Sequence, residues 1–390
     1  MPEDALPLQG LVVVEFSTSV AGPFAGQVLA DLGAEVFKVE RPDGGDDARH
    51  WGPPFVDGVA PVFQTLNRNK HSLAVNLKDE RERAALAAFI RDRADIVVQN
   101  LRPGLMDTFG LDADSLRAGK PDLIYCNMTA FGPVGPKRMQ PGYDPLMQAC
   151  AGIMSTTGIE GHEPVRVGPS LVDQGSGMWA VIGIMAALIE RGRSGQGATI
   201  DTSLYETAVG WLPAQIATFL ASGKVPGRIG TENAGIAPYK AFEAQGGWLV
   251  IAAGNNGLFG RLTGVLGRPD WAQDARFATN PARVENRIAL NAAIQQVIAT
   301  GDRDAWLARL EQAGVPAAPV LALDETLADP QFAALDILQP VPGSDSRLVG
   351  LPLHFDGTRP PLRSGHPAVG DRTDVLAAYF PQEARDERIA

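Results

Sequence analysis

The residue best placed to do chemistry is Asp173, within Gly168-Pro-Ser-Leu-Val-Asp173-Gln-Gly-Ser-Gly177. The segment leads into an apolar run, so Asp173 falls near a helix N-terminus, where the macrodipole favours negative charge and free amides can donate. Two roles stay open there. Asp is a preferred N-cap, and capping alone accounts for many aspartates so placed. The small residues on both sides would also let a bulky ligand reach the carboxylate, with nearby amides to stabilise an oxyanion.

Asn67-Arg-Asn-Lys70 puts two amides and two cations in four residues, a set able to hold phosphates by charge-assisted hydrogen bonds. Its plain alternative is a solvated turn. Arg41 is a second cation, just after an expected strand, and ligands of open α/β folds bind at that edge of the sheet. Ser17-Thr-Ser-Val-Ala-Gly22, followed at a distance by Glu40, has the outline of a dinucleotide-binding unit. However, only Gly22 precedes the helix, and without two further glycines a pyrophosphate cannot approach the backbone closely. A helix N-terminus holding some other phosphate remains open. His50, His71, His162, His354 and His366 show no metal-ligand spacing, and there is no G-x-S-x-G elbow and no P-loop. No metal is expected.

These residues need a scaffold. Leu11 to Phe16 and Ala34 to Val39 read as strands buried on both faces, with a helix from Gly22-Pro23 to Gly33 between them. Asp79 to Arg93 is an Ala-rich charged helix. Asp95 to Gln99 and Leu123 to Asn127 read as further strands, which together imply a parallel α/β sheet. Phe131 to Gly142 is a Gly- and Pro-dense loop. Leu146 to Met154 and Gly177 to Arg191 read as helices, the second apolar all round and therefore central. Thr199 to Ser222 reads as mostly helical, and Lys224 to Ile236 as a linker. Tyr239 to Ala253 is a hairpin across Gln245-Gly246-Gly247. Leu258 to Ala313 is helical, Val315 to Leu321 a strand, and the tail from Asp336 is loop-rich.

The 390 residues carry 34 Lys+Arg against 45 Asp+Glu, a net charge of −11, which disfavours nucleic acid and anionic membranes as partners. Hydrophobic residues at 45% against 20% charged give ample core and argue against disorder. Cys126 and Cys150 are too few for a disulfide framework, so reduced, buried thiols and a cytoplasmic setting are expected. Glu3 and Asp4 fit no signal peptide, and the apolar run Met178 to Ile189 is too short to span a bilayer.

Taken together, several motifs in order resemble the family III CoA-transferases, the CaiB/BaiF group that includes formyl-CoA transferase, carnitine CoA-transferase and α-methylacyl-CoA racemase. They are Leu8-Gln-Gly-Leu-Val-Val-Val-Glu15, Ala21-Gly-Pro23, Asp31 to Arg41, Gly45-Asp46, Asn67-Arg-Asn-Lys70, Asn100-Leu-Arg-Pro-Gly104, Gly142-Tyr-Asp144 and Asp173 with its glycine-rich helix start. The resemblance covers nearly the whole chain. It implies an α/β fold: a large Rossmann-like domain with a parallel sheet plus a smaller α+β domain, in a homodimer of interlocked rings. The boundaries it implies are 1–223 for the large domain with a linking helix, 224–330 for the small one, and 331–390 for a C-terminal segment returning to the large domain.

The same resemblance implies that CoA or acyl-CoA is a substrate and that no cofactor is tightly bound. Ser19, Val20, Ala21, Arg41, Asn69, Lys70, Asn100 and Tyr143 are its candidates for CoA contacts, and Asp173 is the nucleophile that passes through an aspartyl-CoA thioester. Arg49, His50, Trp51 and Asp144 are candidates for the acyl pocket, with Arg49 suited to a second carboxylate. Gly254 and Gly257 sit where formyl-CoA transferase carries a glycine-rich covering loop. Succinyl-CoA as donor and a small dicarboxylic acid as acceptor are expected. Formyl and oxalyl transfer are disfavoured, because Val20 replaces a Gln and that enzyme's small-domain insertion is missing. The alternatives are a 2-methylacyl-CoA racemase, disfavoured because Tyr143 stands where racemases have a basic His, and a noncatalytic CoA-binding protein.

Overall fold

The computed structural model describes residues 6–381, and they form two compact units. The first takes in the chain up to Ile153, Arg166–Ala217 and the chain from Asp336 onward; the second is Met154–Val165 with Thr218–Leu335. The short segment Met154–Val165 was not marked by any composition shift. It joins the second unit through backbone pairing of Ile159 with Ile229.

Six parallel strands build the first unit: β1 Val12–Phe16, β2 Glu35–Glu40, β3 Lys70–Ala74, β4 Ile96–Gln99, β5 Ile124–Thr129 and β6 Thr199–Ser203. Their spatial order is β3-β2-β1-β4-β5-β6, so the direction of winding reverses between β1 and β4. Successive residues of β1 serve opposite faces. Val13 packs with Leu29 and Ala25 of the helix Ala21–Asp31 and with Ile184 of the long helix Leu171–Ser194. Val12, Val14 and Phe16 pack with Leu86, Phe89 and Ile90 of the helix Glu80–Arg93.

Two strands of this sheet differ from the expectation, and the loop-rich tail adds a small antiparallel pair, Leu338–Pro340 with Arg347–Val349. β6 occupies residues read as the start of a helix; it is a polar edge strand, Thr-Ile-Asp-Thr-Ser, with no apolar run to mark it. β3 begins at Lys70, inside the supposed phosphate cluster. Its outer edge is closed by the returning tail, where Asp371 accepts from the Ser72 amide at 2.6 Å and Thr373 Oγ1 from the Ala74 amide at 2.8 Å. Covering an edge in this way removes a template for unwanted strand pairing.

The long helix also corrects the expectation that it would be central on all sides. Val172, Asp173, Ser176, Ala180 and Ile184 are buried, but Met178, Trp179, Ile182 and Ile189 are each half or more exposed. It is long and apolar enough to cross a membrane by length and composition, which the shorter run Met178 to Ile189 had not suggested. Its inner face is packed on protein: a Cβ at Gly177 would come within 2.8 Å of the Ala21 carbonyl, so the two helices touch backbone to backbone there. Cys126 is buried as expected. Cys150 is exposed, because the short helix Asp144–Cys150 buries Asp144, Met147 and Gln148 on its other side.

The second unit has an antiparallel sheet of β7 Tyr239–Ala244, β8 Gly247–Ala252 and β9 Ala317–Pro319. Helices Asn256–Val265, Arg287–Ile298 and Arg303–Gln312 cover a core that includes Phe242, Leu249, Phe259, Ile294 and Trp306.

Candidate active site

Two adjoining clefts open at the carboxyl ends of the strands, beside the reversal point between β1 and β4 where α/β sheets place ligands. Thr18, Leu101 and Leu105 line both. The loop after β1 forms their shared rim, and sequence dictates its shape. A Cβ at Gly22 would lie 2.3 Å from Ser17 Cβ, so only glycine allows the turn into the helix. Ser19 adopts φ +69°, and Asn100 ties the loop down: the Thr18 amide donates to Asn100 Oδ1 and Asn100 Nδ2 donates to the Thr18 carbonyl, both at 2.9 Å.

The first cleft, about 510 Å³, brings together six of the expected residues: Ser19, Val20, Ala21, Asn100, Tyr143 and Asp173. Asp173 stands at the third position of the long helix and is 9% exposed. Its carboxylate makes no hydrogen bond among the described residues, so it is not the helix cap. Asp144 caps instead, from outside the helix. Its Oδ2 accepts from the Val172 amide at 2.7 Å and the Asp173 amide at 3.3 Å, and its Oδ1 accepts from Gln148 Nε2 at 2.5 Å. Burial, and then the Asp144 charge, push the Asp173 carboxyl up to about 7.

The second cleft, about 790 Å³, has Arg41 on its wall as expected, and Lys78, which sequence reasoning passed over. Both side chains are exposed, with Arg41 also donating to Asp47 at 2.6 Å. Val75, Leu77 and Phe109 give this cleft an apolar floor.

Three expected ligand residues are used up inside the protein. Lys70 Nζ has three protons and three partners: Glu15 Oε2 at 2.7 Å, the Pro23 carbonyl at 2.9 Å and Asn67 Oδ1 at 3.0 Å. Asn69 donates to Asp31 at 2.7 Å while its own oxygen accepts from the amides of Arg363 and Ser364 in the returning tail. Arg68 grips the same Asp31 at 2.6 Å. The four-residue cluster is therefore a clasp between helix, sheet and tail, and not a phosphate site. Arg49 is equally committed, buried against Glu40 and the Pro367 carbonyl. It cannot receive a substrate carboxylate.

Trp51 is 45% exposed and lines neither cleft, and His50 contacts the Gly44 carbonyl. Gly254 and Gly257 belong to the second unit, and Gly257 lies within the helix Asn256–Val265, which Asn255 caps. So only part of that segment is loop. Arg102 is the cation that sequence reasoning missed in the first cleft: it is exposed, and its side chain has no hydrogen bond or ion pair among the described residues. The signal was present in Asn100-Leu-Arg-Pro-Gly104, from which only Asn100 had been singled out.

The sequence model of CoA-transferase family III matches residues 8–373. The chain is 37% identical over 375 residues to the succinate–glutarate CoA-transferase of Agrobacterium fabrum, covering 94% of each protein. It is 37% identical over 376 residues to the acetyl-CoA:oxalate CoA-transferase of Acetobacter aceti, covering 96% of each. A crystal structure of a CaiB/BaiF family protein from Brucella suis superposes with a TM-score of 0.85 at 41% identity, covering 96% of this chain and 99% of that one.

Proposed function

The chain belongs to CoA-transferase family III and transfers CoA between an acyl-CoA and a carboxylate; on that premise we propose that Asp173 is its nucleophile and that the acceptor is a small dicarboxylic acid. The observation that carries the first part is the Asp173 carboxylate itself, buried, unbonded among the described residues, and on the wall of a cleft that also holds Ser19, Val20, Ala21, Asn100 and Tyr143.

The Asp173 carboxylate attacks the thioester carbonyl of the donor acyl-CoA. The carbon–sulfur bond breaks, giving a mixed anhydride and CoA thiolate. The thiolate then attacks the Asp173 carbonyl, releasing the donor acid and leaving an aspartyl-CoA thioester. The acceptor carboxylate attacks that thioester, forming a second anhydride and freeing the thiolate again. Attack of the thiolate on the acceptor carbonyl yields the new acyl-CoA and restores Asp173. No net proton is consumed. Splitting one acyl exchange into four displacements is covalent catalysis, and it needs a pocket poor in water, since water hydrolyses both intermediates. Burial of Asp173 supports that condition at the nucleophile itself.

For the ligand, the second cleft suits the phosphates and adenosine of CoA, with Arg41 and Lys78 as cations and Phe109 as apolar wall. Succinate, glutarate and oxalate, named for the relatives, are all dicarboxylic acids. With Arg49 committed to Glu40, Arg102 is the cation in the first cleft that can meet a second carboxylate. Val20 had argued against oxalyl transfer, yet the oxalate and glutarate enzymes are equally similar to this chain, so similarity does not separate them.

The exposed apolar face of Met178, Trp179, Ile182 and Ile189 supports a homodimer, in the interlocked arrangement that the family resemblance implies. Two free cysteines support a reducing, cytoplasmic setting. The test of function is a matrix of acyl-CoA donors against mono- and dicarboxylic acids, read by mass spectrometry in heavy water. Transfer to dicarboxylates without α-deuterium is expected. Deuterium exchange at the α-carbon without transfer would instead indicate racemisation.

A further inference from the structure

Two buried carboxylates stand at the head of the long helix, and the chemistry above uses only one. Ser170, at the N-cap, makes no side-chain bond to the first turn. The first-turn amides of Val172 and Asp173 are satisfied by Asp144, which comes from a different helix and is 3% exposed. Asp144 is itself fixed: Gln148 donates to its other oxygen at 2.5 Å, and Gln148 Oε1 accepts from the Val167 amide at 2.8 Å. Ordinarily an aspartate in the first helical turn is drawn to its own helix's free amides. Here those amides are occupied, and the Asp173 carboxylate lines the cleft with no hydrogen bond among the described residues.

We propose that Asp144 is a positioning residue for CoA transfer: by occupying the N-terminal amides of the long helix it keeps the Asp173 carboxylate turned into the cleft, free to attack. The inference rests on Asp173 being the nucleophile. The Asp144 charge has a second consequence, since a like charge nearby makes the Asp173 carboxylate more basic and so a stronger nucleophile. Other charged groups on elements against the long helix are already committed. Glu206 is bonded to Ser203, Asp31 to Arg68 and Gln27, Asp201 to Asn127, and Asp95 to Arg191 near the opposite end.

The test uses the full-length enzyme with Asp144→Asn, Asp144→Glu and Asp144→Ala, each checked for folding by thermal melting. Asp144→Asn removes the charge and keeps one oxygen for the helix amides, at the cost of the Gln148 bond, because its own amide then faces the Gln148 donor. We expect the acid limb of its pH–rate profile to move down by about one unit. Its kcat should fall about tenfold while KM for acyl-CoA stays within about twofold. Asp144→Ala frees the amides, letting Asp173 turn back to them, and a misplaced nucleophile should cost about a hundredfold in kcat. Asp144→Glu keeps the charge, so its acid limb should stay in place even as kcat drops. Should Asp144→Asn fail to fold, the contrast between the Ala and Glu limbs decides the matter. A fall in kcat with the acid limb unmoved in both neutral variants, a rise in KM alone, or unchanged kinetics would each overturn the proposal. Full exchange by Asp173→Ala would instead remove the premise, whatever Asp144 does.

Discussion

Arg49 holds Glu40 through two parallel bonds, Nε to Oε1 at 2.9 Å and Nη2 to Oε2 at 2.7 Å, with both side chains buried. Its guanidinium lies 4.0 Å from the Phe63 ring centroid. Removing one partner of such a pair leaves an uncompensated buried charge, so Arg49→Ala should cost about 3–5 kcal/mol of stability. Urea melts would show this, while the ranking of acceptor acids by the folded variant should match the wild type. A selective loss of dicarboxylates with unchanged stability would return Arg49 to the substrate.

Asp173 makes stability depend on pH. Its carboxyl is raised from 3.8 to about 7 by burial and by Asp144, so the folded protein holds that proton more tightly than the unfolded chain does. The resulting contribution is fully present below the unfolded value and is lost as pH rises through about 7. Asp173→Asn cannot ionise. It should therefore melt progressively higher relative to wild type between pH 4 and pH 8, by an amount on the order of a few kcal/mol at the upper end. A difference in melting that is flat with pH would contradict the raised carboxyl.

Arg102 is an exposed cation on the wall of the first cleft, and a guanidinium there can give a charge-assisted hydrogen bond to the second carboxylate of the proposed acceptor. Arg102→Ala should raise KM for dicarboxylic acceptors about tenfold or more and leave monocarboxylic acceptors nearly untouched. Steady-state kinetics with a matched pair, such as glutarate and butyrate, checks this. An equal rise for both acids, or a rise for acyl-CoA instead, would place Arg102 against CoA.

The half-exposed apolar stripe on the long helix predicts its own partner surface. Because linked rings cannot separate without unfolding, Trp179→Glu should lower the melting temperature of the proposed dimer rather than release folded monomers, since Trp179 is 52% exposed in the single chain and a charge there opposes burial. A wild-type protein that sediments as a monomer would remove this reading.

How far the sequence could be read follows from what each residue shows of its partner. β1, β2, β4 and β5 were legible because strands buried on both faces are written as apolar runs. β6 was not, since an edge strand of alternating polar residues carries no such mark. Asp173 was legible through its small neighbours. Lys70, Asn69 and Arg49 were misread, because a sequence displays a charge but not what neutralises it. A hint did exist: Glu15 sits at the fourth position of Val-Val-Val-Glu-Phe, fully buried, and a carboxylate there requires buried cations. Lys70 and Lys38 are those cations, at 2.7 and 3.2 Å. Asp144 was expected in the acyl pocket, but it is buried and lines neither cleft; its hold on the Val172 amide across 28 residues of chain is a tertiary fact no local pattern displays.

The most direct measurement is to trap the covalent intermediate. The enzyme is incubated with succinyl-CoA and no acceptor, quenched with hydroxylamine, digested, and its peptides sequenced by mass spectrometry. A hydroxamate on Asp173, formed only when acyl-CoA is present and missing from Asp173→Ala, is the predicted result. An adduct on another residue, or CoA exchange that persists in Asp173→Ala, would contradict it.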